Sequence, residues 1–305
     1  MPRVFIDGSA GTTGLRIADR LQGRTDITLL QIDSACRKDP AARKQLMNDA
    51  DIVFLCLPDA AAREAAAMIE NDTTAVIDTS TVHRVAPGWV YGFPELSGQR
   101  DRIRQSKRIA NPGCHASGFI ALVAPLVETG VLKPDAKLSC FSLTGYSGGG
   151  KAMIAAYEST DDPLLCAPRM YGLSQTHKHL PEMQTLCGMA TPPVFCPVVA
   201  PYYAGMEVTV PLFDADCTAG KQEIEALYRS YYQTGLVQVT AADEGGFLSA
   251  AALAGKDTMQ ISVFGNGERM TLVARFDNLG KGASGAAIQN MNLLLGAQES
   301  TGLIV

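Results

Sequence analysis

A strand, a glycine loop and a helix follow one another at the N-terminus, and that order constrains the fold more than anything else in the chain. R-V-F-I-D at 3–7 is a short apolar run that reads as a buried strand. G-S-A-G-T-T-G at 8–14 follows, then the amphipathic stretch L-R-I-A-D-R-L. This is the first βα unit of a nucleotide-binding fold. In its G-x-x-G-x-x-G spacing, Gly8 permits the tight turn, Gly11 lets backbone approach a pyrophosphate, and Gly14 lets the helix pack on the strand. Thr12 and Thr13 add hydroxyl donors, and Ser9 is counted with the loop.

Strands and helices keep alternating. Strands are expected at 27–32, 51–57, 74–78 and 107–110, with helices over 39–49 and 59–70. That alternation predicts a Rossmann-type doubly wound parallel sheet of the α/β class. After residue 115 the texture changes. Runs at 137–144, 195–200, 206–213, 257–264 and 270–276 read as strands, several of them alternating, with helices over 151–158, 178–189 and 220–234. Alternation is the mark of a mainly antiparallel sheet with one covered face. The expected organisation is a dinucleotide-binding domain over 1–115 and 285–305, closed by an amphipathic helix at 284–297, and an α+β substrate and oligomerisation domain over 116–284.

Composition narrows the partners. A net charge of −5 argues against nucleic acid, so an anionic substrate needs a local cluster of Arg or Lys. The longest apolar run, Phe119–Val127, is interrupted by Pro125 and falls short of the ~18–20 residues of a membrane span. No signal-peptide core precedes Asp7 and Gly8, so a cytoplasmic location is expected. The eight cysteines form no C-x-x-C pair, and no metal site is indicated. Cys56 and Cys140 lie in apolar strands and read as core filler.

Cys114 is different. In N-P-G-C-H-A-S-G, 111–118, Pro112 and Gly113 force a turn and an apolar helix follows. A cysteine there faces the first amides and the positive end of the helix dipole, which favour thiolate over thiol. The run H-K-H-L-P-E-M, 177–183, sets two of the four histidines two apart beside Glu182. A metal pair lacks an apparent third ligand, so the functional reading is an acid–base group, with Glu182 orienting it or holding substrate. His115 competes for that role but is expected to point away into its helix. At the end of the second strand, Asp33 would suit a ribose 2′-hydroxyl and NAD, whereas Ser34 with Arg37 or Lys38 would suit a 2′-phosphate; the balance leans to NADP(H). Pro58 and Ser80, after the third and fourth strands, belong to the same cofactor side. Asn278, Lys281 and Gly282, in D-N-L-G-K-G-A-S-G at 277–285, form a loop able to present donors to a bound anion or amide; S-L-T-G-Y-S-G-G-G-K at 142–151 is a second such cradle.

Taken together, N-P-G-C, the G-S-A-G-T-T-G loop, H-K-H-L-P-E-M and D-N-L-G-K-G-A-S-G-A-A-I-Q-N at 277–290 resemble the N-acetyl-γ-glutamyl-phosphate reductases, relatives of aspartate-semialdehyde dehydrogenase, in their shorter, second form. The resemblance runs almost end to end. It implies NADPH-dependent reduction of an acyl phosphate through a cysteine thioester in arginine biosynthesis, with release of inorganic phosphate. Cys114 matches the family nucleophile, and the H-x-H run carries the acid–base group, assigned to His179 with His177 close by. Arg84 matches a position for the substrate carboxylate, and Asn111, Ser147, Gly148, Lys151 and Glu182 join it as substrate-side candidates. S-T-V-H-R and Y-S-G-G-G-K depart from the longer form's patterns, although Lys151 preserves a cation. The family also implies a homo-dimer or homo-tetramer. The competing readings are another acyl-phosphate reductase such as aspartate-semialdehyde dehydrogenase, a nucleotide-binding redox sensor in which Cys114 is oxidised, and an interaction module built on an inactive dehydrogenase.

Overall fold

The computed structural model describes residues 1–159 and 161–305. The chain folds into two units, Met1–Pro112 with Ala283–Leu303, and Gly113–Gly282 with Ile304–Val305.

The first unit runs β1 (Arg3–Asp7), α1 (Thr12–Leu21), β2 (Thr28–Leu30), α2 (Pro40–Asp49), β3 (Ile52–Leu55), α3 (Asp59–Ala67), β4 (Ala75–Asp78), β5 (Val90–Tyr91), α4 (Gln99–Gln105) and β6 (Arg108–Ala110). Among the described residues these strands form one sheet in the order β2-β1-β3-β4-β6-β5, parallel throughout. Every residue of β3 and β4 is buried, as a parallel sheet covered on both faces requires. The chain leaves β1 for β2 on one side and returns to β3 on the other. The carboxyl ends of β1 and β3 therefore bound the switch point where doubly wound sheets take their ligands.

The expected doubly wound sheet is present, with two elements the sequence reading left out. β5 is two residues long, and α4 (Q-R-D-R-I-R-Q) has Ile103 as its one buried apolar side chain, so neither shows a hydrophobic period.

The second unit begins with α5 (Cys114–Glu128) and continues through β7 (Ser139–Gly145), α6 (Gly150–Ser159), β8 (Arg169–Met170), α7 (Leu180–Leu186), β9 (Val194–Ala200), β10 (Met206–Phe213), α8 (Lys221–Tyr231), β11 (Val237–Val239), β12 (Met259–Gly265) and β13 (Arg269–Phe276). Its sheet runs β11-β12-β13-β10-β7-β9-β8. Two pairs, β7 with β9 and β11 with β12, are parallel and the others antiparallel, so the sheet is mixed with an antiparallel majority. β10 alternates buried and accessible positions along its length. One face of the sheet carries α5, at Gly118: a methyl group there would collide with Val208 and press on Phe276. α7 is shorter than the expected 178–189, because Gly188 turns the chain at φ +64°.

Pro125 lies inside α5 and does not end it. Proline has no N–H to give the carbonyl four residues back, Ala121 O. Tyr232 Oη donates to that oxygen at 2.6 Å, and Tyr228 Oη donates to the neighbouring Leu122 O. Tyr232, just past α8, supplies the donor that Pro125 lacks, and Tyr228 of α8 adds one at the next carbonyl.

The chain then returns to the first unit with α9 (Gly285–Leu294). The expected amphipathic helix is instead buried from Gly285 through Leu293. Its polar side chains are absorbed by protein groups: Asn290 Nδ2 donates to Gly92 O at 2.9 Å, Gln289 Nε2 to Glu95 at 2.9 Å, and Asn292 Nδ2 to Glu299 O and Thr301 O. Among the described residues no helix is long and apolar enough to cross a membrane.

Candidate active site

The first unit supplies a nucleotide cradle. Gly8 sits at φ +87°, a conformation that suits glycine, and a side chain there would overlap the Cys56 carbonyl at the end of β3. A side chain on Gly14 would overlap the Gly8 carbonyl, so this glycine lets α1 close onto the loop. Gly11 N–H donates to Gly8 O at 3.0 Å, and Thr12 and Thr13 open α1. An open cleft of about 510 Å³ adjoins the loop, lined by Asp7, Gly8 and Ser9 together with Ser34, Arg37, Lys38 and Arg43. Asp33 is not among its walls: the Asp33 carboxylate accepts from Ala35 N–H at 2.8 Å and turns its own loop. Pro58 caps α3 at the rim of the same sheet edge.

Ser80, His83 and Arg84 follow β4 and are tied down. Asp78, wholly buried, accepts from Ser80 N–H at 2.9 Å and from Ser80 Oγ at 2.6 Å, and pairs with His83 Nδ1 at 2.7 Å. Arg84 Nε donates to Asn111 O at 3.0 Å, and Asn111 Nδ2 donates to Ala283 O at 3.0 Å. Both residues therefore brace the segment that leads to Pro112.

The second unit holds the cysteine turn. Cys114 is the first residue of α5 and is partly accessible. The helix ladder begins at Ser117 N–H to Gly113 O, so the first-turn amides and the positive helix end lie at Cys114. Glu182, buried on α7, accepts from Gly113 N–H at 3.1 Å, and its other oxygen lies 3.9 Å from His179 Nε2. One carboxylate thus touches both the cysteine turn and the histidine. Of the two roles the sequence offered Glu182, orienting the histidine or holding substrate, these contacts suit the first.

Around this pair the rings of His115, His177, His179 and Phe195 form an edge-to-face cluster, with His177 and His179 centroids 4.7 Å apart. His115 lies 2.6 Å from Ser142 Oγ through Nδ1 and 2.6 Å from Tyr171 Oη through Nε2. Burial first, then the neighbouring His177, pushes its pKa down to about 3, so it is a neutral structural ring at physiological pH. His179 is buried and His177 partly accessible.

Tyr171 escaped the sequence reading. Burial first, then a smaller electrostatic contribution from Cys114, pushes its hydroxyl well above the usual range. The sole sequence signal was Y-G six residues ahead of His177, where Gly172 turns at φ +64° and packs on His177. Arg43 also went unremarked, as one cation on a polar helix.

Ser147 is buried in a single 3₁₀ turn, Tyr146–Gly149, while Gly148 and Lys151 are exposed. Residues 142–145 of the expected loop belong to β7. Asn278 Nδ2 donates to Ser147 Oγ at 3.0 Å and its Oδ1 accepts from Gly205 N–H at 2.9 Å, so this side chain bridges two loops of the second unit. Lys281 is buried. Gly282 lies against Cys114, whose Cβ would be 3.0 Å from any side chain placed there.

Two family models match the chain: "semialdehyde dehydrogenase, NAD binding domain" over residues 3–106 and "semialdehyde dehydrogenase, dimerisation domain" over 114–278. An N-acetyl-gamma-glutamyl-phosphate reductase of Sinorhizobium medicae is 47% identical, covering 97% of this chain and 99% of its own. N-acetyl-gamma-glutamyl-phosphate reductase 2 of Pseudomonas putida is 45% identical over 99% of each. Among solved structures, aspartate semialdehyde dehydrogenase II of Vibrio cholerae superposes with a TM-score of 0.72 at 17% identity, covering 97% of this chain and 98% of that one, a likeness of fold. The chain belongs to the N-acetyl-gamma-glutamyl-phosphate reductase family of semialdehyde dehydrogenases.

Proposed function

We propose that this chain reduces N-acetyl-γ-glutamyl phosphate to N-acetylglutamate semialdehyde and inorganic phosphate with NADPH, through a thioester on Cys114. The observation that carries the reading is the coupling of Cys114 and His179 through Glu182, at the start of a buried helix.

The first unit's residues fit NADP(H). Gly8 and Gly14 leave a cradle that a methyl group would fill, and Ser34, Arg37 and Lys38 wall the adjoining cleft while Asp33 turns away from it. Ser9, Gly11, Thr12 and Thr13 would hold the pyrophosphate; Pro58 and Ser80 border the cofactor side. When bound, the reduced nicotinamide supplies hydride.

The chain's own part is acyl transfer. Cys114 Sγ attacks the acyl carbon, the carbon–oxygen bond to phosphate breaks, and a thioester remains. A thioester accepts hydride far more readily than a carboxylate, which is the reason for a covalent step. First-turn amides of α5 stabilise the oxyanion, and Gly282 packs on the Cys114 Cβ, where a side chain would crowd it. His179 gives a proton to phosphate as it departs and moves one as the aldehyde is released, with His177 beside it. We assign the substrate's anionic groups to Arg84, Lys151 and the Ser147–Gly148 turn, and positioning to Glu182, Asn111 and Asn278; Lys281 contributes positive charge near Gly282. Run backwards, the protein should reduce NADP⁺ with N-acetylglutamate semialdehyde only when inorganic phosphate is present. Phosphate-independent reduction, or preference for aspartate semialdehyde, would overturn the assignment.

Two copies are proposed to pair through the sheet face opposite α5. Phe141, Thr209 and Cys196 lie in one row across β10, β7 and β9, flanked by Leu143, Val198 and the 57%-exposed Val194. Phe141→Glu should shift the protein towards monomer in sedimentation velocity; an unchanged coefficient would remove this face from the interface. A cytoplasmic setting, where thiols stay reduced, suits eight free cysteines with one as nucleophile.

A further inference from the structure

We infer that Arg43 sets the affinity of the first unit's cleft for NADPH by neutralising Asp7, acting through that carboxylate and not by gripping the cofactor. The inference rests on the NADPH reading above.

Asp7 is the last residue of β1 and the residue before Gly8, so its carboxylate stands at the root of the anion-binding loop, 5% exposed. Arg43, one turn into α2, reaches back to it. Nη2 lies 2.7 Å from Oδ2, and Nε lies 3.2 Å from Oδ1 and 3.3 Å from Oδ2. The fork is engaged on Asp7 through two of its nitrogens, and the arginine side chain is 16% exposed. Both residues line the cleft that Ser34, Arg37 and Lys38 share.

Among the described residues of that lining, Asp7 is the one carboxylate. A site for a polyanion gains nothing from an acid at its floor unless the acid is cancelled. Arg43 cancels it and leaves Arg37 and Lys38 for the ligand. Without Arg43 the carboxylate would be buried and bare, which is the costly way to break such a pair. Its repulsion grows with ligand charge, and NADPH exceeds NADH by a 2′-phosphate. Arg43 is therefore a specificity-determining positioning residue. The same pair pins α2, and so the 33–38 loop ahead of it, to the end of β1.

The full-length protein should be titrated with NADPH and with NADH, following nicotinamide fluorescence, as wild type, R43Q, R43K, D7N and D7N/R43Q. R43Q should weaken NADPH about 10- to 100-fold and NADH less than about 5-fold. D7N/R43Q should return to within about 3-fold of wild type, the rescue that marks two residues acting as one unit. A double variant as weak as R43Q, or equal losses for both coenzymes, would overturn the inference by showing direct gripping or a merely structural brace. Should D7N fail to fold, R43K against R43Q decides: retained charge must retain NADPH affinity, and equal losses overturn the idea. A wild type that binds neither coenzyme instead refutes the NADPH reading itself.

Discussion

Cys114→Ala is expected to remove N-acetyl-γ-glutamyl-phosphate reduction by about 10⁴-fold or more while leaving NADPH binding unchanged. Two observations set the size of the effect. The sulfur stands at the positive end of a helix that is buried from His115 to Leu126, so no neighbouring thiol can take its place from the same turn. Three of the other cysteines are unsuited to the role: Cys140 and Cys187 are buried and burial pushes their thiols well up, and burial pushes Cys56 up to about 12. The dinucleotide cradle lies in the other unit and loses nothing. Intact-mass measurement gives the sharper check. Wild type mixed with the acyl phosphate in the absence of NADPH should gain one acyl group and release one phosphate; the variant should gain none. An acyl mass on the variant, or turnover within 100-fold of wild type, would move the covalent step to another residue or remove it.

The loop that holds the cofactor and the turn that holds the sulfur were both legible in the sequence, because each is a backbone requirement written in glycine and proline. Gly8 needs its positive φ, Gly14 needs the absence of a side chain, and Pro112–Gly113 ends one element so that α5 can start. The doubly wound sheet was legible because β3 and β4 are apolar runs of strand length between helices. What stayed hidden depended on partners distant in sequence. α9 looked amphipathic because Gln289, Asn290 and Asn292 are polar, yet their hydrogen bonds reach Gly92, Glu95, Glu299 and Thr301, and no periodicity encodes that. How α5 accommodates Pro125 was hidden as well, because the Tyr228 and Tyr232 hydroxyls that bond its carbonyls come from a distant segment.

The site divides the same way. The H-x-H run announced acid–base chemistry, but local spacing could not rank four histidines. Tertiary contacts rank them: His83 is bonded to Asp78 and stacked on Trp89, His115 is locked between Ser142 and Tyr171, and His179 shares Glu182 with the cysteine turn. Asn278 has a role its loop composition did not reveal: its amide bridges Ser147 and Gly205.

That ranking makes the second large prediction. His179→Asn should lower kcat by about 10²- to 10⁴-fold with little change in KM, the loss typical of a general acid–base group. His177→Asn should cost about tenfold or less, because His177 stands beside His179, the proposed acid–base group, and its Nδ1 accepts from His179 N–H at 3.2 Å. The pH profile separates chemistry from packing. A histidine acid–base imposes a dependence near neutrality, and that dependence should flatten in His179→Asn and persist in His177→Asn. His115 cannot be its source, since it stays uncharged down to about pH 3. Glu182 refines the test. Glu182→Gln keeps an oxygen for Gly113 N–H and should preserve the acyl-enzyme burst while slowing turnover, whereas Glu182→Ala leaves that buried amide without its acceptor and should impair burst and turnover together. If His177→Asn proved the more damaging and carried the pH dependence with it, the proton would belong to His177, and Glu182 would serve the cysteine turn alone.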